Sequence, residues 1–188
     1  MKMLTAITAL LLVGTAQAGV VSYYTHFEPE GAGGRTGTGS ATATFDDVTN
    51  ILSFSATFSG LSGLTTQAHF HCCTALPFSG NAGVAVDSPS LPIPLGVSAG
   101  TFSAVLDLDD ASNFNPAFIT ASGGLVSQAI SRFVDGLNNG QVYLNIHTST
   151  FLGGEIRGFM RVPEPATAAL TLLALAGMGG LGALRRRI

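Results

Sequence analysis

The sequence predicts a mainly β protein: an antiparallel β-sandwich or barrel with one short helix, followed by a C-terminal transmembrane helix. Three observations carry this. Short segments alternate apolar and polar residues with period two, between breaks rich in Gly, Asn, Asp and Pro. A single stretch has apolar residues at helical spacing. A charge-free run lies close to the C-terminus. The 188 residues divide accordingly into 1–18, 19–161 and 162–188.

Residues 1–18 read as a signal peptide. Lys2 supplies the positive end, residues 6–13 a short apolar stretch, and Ala16-Gln17-Ala18 a cleavage site for signal peptidase. The apolar stretch is too short to span a bilayer. A Gly-rich loop is expected over 28–39. In the first strand, Ala41, Ala43 and Phe45 alternate with Thr42 and Thr44, and Asp46-Asp47-Val48-Thr49-Asn50 makes the turn. The returning strand sets Leu52, Phe54, Ala56 and Phe58 against Ser53, Ser55, Thr57 and Ser59. A third strand over 67–72 puts Ala68 and Phe70 opposite His69 and His71. Residues 74–100, with Pro77, Pro89, Pro92 and Pro94, read as a long loop. Phe102, Ala104, Leu106 and Leu108 mark another strand.

Leu125, Ala129, Ile130, Phe133, Val134 and Leu137 follow helical spacing, and Asn138-Asn139-Gly140 supplies the stop. Two strands come last. Val142, Leu144 and Ile146 oppose Tyr143, Asn145 and His147. Ile156, Gly158, Met160 and Val162 oppose Glu155, Arg157, Phe159 and Arg161.

The middle segment is long enough for one hydrophobic core. Four of the eight cationic residues (Lys2, Arg185, Arg186, Arg187) lie in the end segments. Four arginines therefore face eleven acids, Glu164 included, and lysine is absent from the domain. Such an acidic surface argues against nucleic acid as a partner, because phosphates demand cationic neutralisation. Cys72 and Cys73 are adjacent, and across a trans peptide their Cα atoms sit about 3.8 Å apart, below the usual disulfide span. Two packed or exposed thiols are the preferred expectation, with a strained vicinal bridge and intermolecular pairing as the alternatives.

At the C-terminal end stand Pro163-Glu164-Pro165, the charge-free residues 166–184, then Arg185-Arg186-Arg187. Nineteen helical residues span roughly 28 Å, close to a bilayer's hydrocarbon thickness. The arginines mark the cytoplasmic end and place the preceding domain outside the inner membrane. This segment resembles the PEP-CTERM sorting signal of Gram-negative, biofilm-forming bacteria. The resemblance implies that an exosortase-type membrane protease recognises the triplet and removes the helix. The protein would be anchored transiently in the inner membrane before reaching the cell surface or extracellular matrix.

The domain carries three further pieces: Ala68-His69-Phe70-His71; Val142-Tyr143-Leu144-Asn145-Ile146-His147-Thr148; and Gly153-Gly154-Glu155-Ile156-Arg157-Gly158. Together with Gly39-Ser40-Ala41-Thr42-Ala43-Thr44-Phe45 they are similar to the CHRD domain, over about residues 28–161. The resemblance implies an extracellular or surface module without established catalytic activity; extracellular polysaccharide is an expected partner only as the matrix to which the sorting signal would deliver it. Relatives follow His-x-His with a Gly-rich turn, where this chain has Cys72-Cys73-Thr74.

From chemistry alone, His69 and His71 share one strand face and His147 lies on the polar face of its own strand. Three such imidazoles are ingredients of a Zn or Cu site, which Glu155 could complete or support from behind. The preferred expectation is a structural cluster that requires no cofactor, with Asn145, Glu155 and Arg157 as supporting polar groups, because no fourth ligand is dictated by spacing. The alternative is an extracytoplasmic Zn- or Cu-binding protein, extending to redox activity. His26 reads as a surface residue. No nucleophile elbow, phosphate loop or dinucleotide fingerprint is present. Asp107, Asp109 and Asp110 do not fit a calcium loop. Cys72 and His71, adjacent on a strand, would point to opposite faces.

Overall fold

The computed structural model describes residues 19–87 and 91–163. Its strands are β1 (Val20–Pro29), β2 (Thr38–Asp46), β3 (Ile51–Ser59), β4 (Thr65–His71), β5 (Val84–Val86), β6 (Gly100–Asp107), β7 (Tyr143–Thr148) and β8 (Ile156–Phe159). They form one antiparallel sheet in the order β5-β4-β7-β8-β1-β2-β3-β6. The sheet curls into a half-barrel. Its edges, β5 and β6, do not pair with each other, so it is a single curled sheet and neither a two-sheet sandwich nor a closed barrel.

Alternation builds the β2–β3 hairpin as expected. Ala41, Ala43, Phe45, Leu52, Phe54, Ala56 and Phe58 are all buried. At the turn the Asp46 carboxylate accepts from the backbone N–H of Val48 (2.9 Å) and Thr49 (3.2 Å), and Asn50 takes the left-handed conformation. The two arms of the curled sheet meet through aromatic rings. Phe54 of β3 packs edge-to-face on Phe70 of β4 at 5.5 Å and on Phe102 of β6 at 5.7 Å.

Strand β1 joins the two arms. Residues 20–27 pair with β2, while Glu28 and Pro29 pair with Arg157 and Ile156 of β8. Tyr24 and Arg161 exchange two backbone hydrogen bonds of 2.9 Å. At this seam a Cβ on Gly158 would collide with the Thr25 hydroxyl and the His26 carbonyl, so only glycine lets β8 approach β1.

Among the described residues two α-helices are present where one was expected in the domain. The first, α1 (Pro116–Ala121), follows a 3-10 turn and is capped by Asn115, whose side-chain oxygen accepts from Ala117 N–H at 2.9 Å. The second, α2 (Val126–Asn138), buries Ala129, Ile130, Phe133, Gly136 and Leu137. Leu125, expected on its apolar face, is the exposed residue before it. Phe133 reaches the Phe70 ring at 6.0 Å, so α2 shares the sheet's core.

Other expectations shift at their edges. The Gly-rich loop begins after Pro29, the 74–100 loop contains β5, and the last strand ends at Phe159. Cys72 and Cys73 are joined to each other in a disulfide, whereas two thiols were expected. That expectation assumed a trans peptide, and this one is cis. Among the described residues no helix is long and apolar enough to cross a membrane. The expected membrane helix, Glu164 and Pro165, and the signal peptide with Ala16 and Ala18 all lie outside the described residues.

Candidate functional site

Strands β4 and β7 pair so that Gln67 faces His147, His69 faces Asn145 and His71 faces Tyr143. Period-two alternation sends Ala68, Phe70, Leu144 and Ile146 into the core. The histidines emerge together on the opposite face. That face is covered: every residue of β7 is buried.

One ligating atom of each of His69, His71 and His147 lies within 4.8 Å of the others. His69 Nδ1 stands 3.1 Å from His147 Nε2. Each imidazole is fixed by its other nitrogen. His69 Nε2 meets the Asp87 carboxylate at 3.0 Å, just after β5. His71 Nδ1 meets the Ala82 carbonyl at 2.9 Å, and His147 Nδ1 the Leu152 carbonyl at 2.7 Å. The His71 ring also stacks on Tyr143 at 4.7 Å, with 2° between the planes.

Burial, and next the neighbouring His147, push the His69 pKa down to about 4, against the opposing pull of Asp87. Burial likewise lowers His71, offset in part by its bond to Ala82. Both are neutral near pH 7.

A polar chain leads outward from the cluster. Asn145 Oδ1 lies 3.2 Å from His71 Nε2, and the Asn145 amide nitrogen donates to Glu30 Oε2 at 3.2 Å. Arg157 pairs with Glu30 at 3.3 Å, donates to Asn81 Oδ1 at 2.8 Å, and lies over the Tyr143 ring at 5.0 Å. Gly154 is held at φ +118, and a Cβ there would strike the Glu30 carboxylate.

Glu155 lies outside this group. Fully buried, it accepts from the Ser62 hydroxyl (2.7 Å), the Ser62 N–H, the Gly63 N–H (3.1 Å) and the Thr148 hydroxyl (2.7 Å). Burial would raise its pKa, but these donors outweigh that and hold the carboxyl below its ordinary range. It ties the β3–β4 loop to the end of β7. Glu155 and Arg157, both expected as supporting groups of the cluster, do not pair with each other: the partner of Arg157 is Glu30. His26 is exposed on β1, away from the cluster.

Sequence reasoning missed Asp87, Glu30 and Tyr143. Tyr143 was legible as the residue two before Asn145 on the same face. Asp87 and Glu30 stand in loop sequence with no periodic signal.

Fold and site together define a curled β module with a covered triple-histidine cluster on the sheet face opposite the core. The chain belongs to the CHRD domain family, whose model matches residues 25–160. A PEP-CTERM protein-sorting motif matches residues 161–187 directly behind it. No curated protein and no solved structure matches the chain. The two matches together suggest an exported protein, and the motif implies recognition by an exosortase, a membrane protein.

Proposed function

We propose that this chain is a non-catalytic CHRD module, exported after cleavage behind Ala18 and processed by an exosortase-type protease at Pro163-Glu164-Pro165. Its destination is the cell surface or extracellular polysaccharide matrix of a Gram-negative, biofilm-forming bacterium. The observation that carries the reading is the direct succession of domain and sorting motif, one match ending at residue 160 and the other starting at 161.

The fold supports it. The last ladder contact of the domain is Arg161 on Tyr24, and Arg161, Val162 and Pro163 are exposed. A protease acting at the triplet therefore meets chain that has just left the sheet. The non-catalytic reading draws on the supporting polar groups: Asn145, Glu155 and Arg157 are all engaged in holding loops.

The test replaces Pro163 and Pro165 together with alanine. The variant should stay in the inner membrane at full mass, while the parent's surface fraction lacks residues 166–188. Intact-mass analysis finding those residues still attached in the surface fraction would overturn the processing step.

A further inference from the structure

The three imidazoles have an unbalanced set of protons. A carbonyl oxygen has no hydrogen to give, so His71 Nδ1 and His147 Nδ1 must each donate, to Ala82 and Leu152. The Asp87 carboxylate likewise demands the hydrogen of His69 Nε2. In neutral rings that leaves His69 Nδ1, His71 Nε2 and His147 Nε2 bare; the first and last face each other at 3.1 Å, and one ring nitrogen of each histidine lies within 4.8 Å of the others. Asn145 adds a fourth acceptor: its amide nitrogen is committed to Glu30, so Oδ1 faces His71 Nε2. Four acceptors converge in a covered space, and none of them brings a donor. One trapped water could donate only two hydrogens.

We propose that His69, His71 and His147 bind one late first-row divalent transition metal ion, Zn2+ by preference, through these inner nitrogens. This goes beyond the sorting proposal and does not depend on it.

The geometry fits the ion. Tetrahedral Zn2+ with Zn–N bonds of about 2.0–2.1 Å separates its nitrogens by roughly 3.3 Å. His69 Nδ1 and His147 Nε2 already stand 3.1 Å apart, a spacing at which two bare nitrogens repel unless a cation lies between them. His71 completes the triangle from within 4.8 Å and closes on the ion by releasing Asn145. Imidazole nitrogen selects Zn and Cu over Mg or Ca, which take oxygen. The outer partners match the pattern of metal-bound histidines, in which the far N–H is anchored on a carboxylate or backbone carbonyl that fixes the tautomer. All three rings have such an anchor.

The experiment uses the full chain without a histidine tag, stripped with EDTA, dialysed and titrated with Zn2+ in a calorimeter. One ion per chain should bind, the melting temperature should rise with Zn2+, and His147→Gln should lose both effects. Asp87→Asn, which releases the His69 tautomer without removing a ligand, should weaken binding about 10–100-fold. X-ray absorption on the Zn2+-loaded parent should report three imidazole nitrogens, a readout that stands even if His147→Gln fails to fold. A melting temperature indifferent to Zn2+, equal binding by the parent and a folded His147→Gln, or fewer than three imidazoles at the ion would each overturn the site. The occupant would then be protons or water.

Discussion

Strands β3 and β7 both alternate apolar and polar residues, and both bury their apolar sides in the same core. Their polar sides meet different fates. Ser55, Thr57 and Ser59 of β3 face solvent, where a hydroxyl needs nothing from the protein. Tyr143, Asn145 and His147 of β7 lie beneath the segments that carry Ala82, Asp87 and Leu152. Once water is excluded, each polar atom must find a partner in the chain, because an unsatisfied buried group costs about 1–3 kcal/mol. At the outer polar atoms the loops meet that demand with backbone carbonyls and two carboxylates, those of Asp87 and Glu30. A covered polar face is thus obliged to become an ordered site, and a wet one is not.

Substitutions can break or sharpen this contrast. The largest effect is expected in the shared core. Phe54→Ala, which removes the ring between Phe70 and Phe102, should cost about 3–5 kcal/mol in urea unfolding. A loss below about 1 kcal/mol would mean the two arms do not share a core there.

Next comes the covered side. Glu155→Gln puts an amide donor against the Ser62, Gly63 and Thr148 donors and should cost about 1.5–3 kcal/mol at pH 7. The pH dependence has a fixed sign. The Glu155 pKa is depressed in the folded state, so its contribution is complete above the unfolded value of about 4.3 and is lost as pH falls through the folded value. The stability gap between parent and variant should therefore be constant near neutrality and narrow below about pH 4. A gap that widened in acid would contradict the assignment.

The smallest effect belongs to the wet face. Ser55→Ala should fall within about 0.5 kcal/mol, since the side chain is exposed. A cost near that of Glu155→Gln would erase the distinction between the two strands.

The same contrast explains what could be read in the sequence. The β2–β3 hairpin, β6 and α2 were legible because each buries one periodic face against one core. The short elements escaped: β5 has three residues and α1 six, too few for a period to show, although Asn115-Pro116 is a helix-start signal. Strand β1 was overlooked although Tyr23, Thr25 and Phe27 alternate with exposed neighbours, because Thr25 is polar yet buried. At the site, two-residue spacing put His69 with His71 and Asn145 with His147, but nothing local specifies that β4 pairs with β7. Glu155 was misplaced for a related reason. Its partners at Ser62 and Gly63 sit in a loop far away in sequence, and a carboxylate's choice among distant donors leaves no pattern.

The seam at β1 bears on the order in which the chain can close. Residues 24–29 sit in the middle of the sheet, and their partners on one side are residues 156–161. A chain that emerges N-terminus first can zip β1, β2 and β3 into a meander at once. Its inner edge must then stay unpaired until almost the whole domain has followed. The final lock, Tyr24 on Arg161, waits for the residue at which the sorting motif begins. Completing the fold and presenting the sorting motif are therefore events of the same stretch of chain.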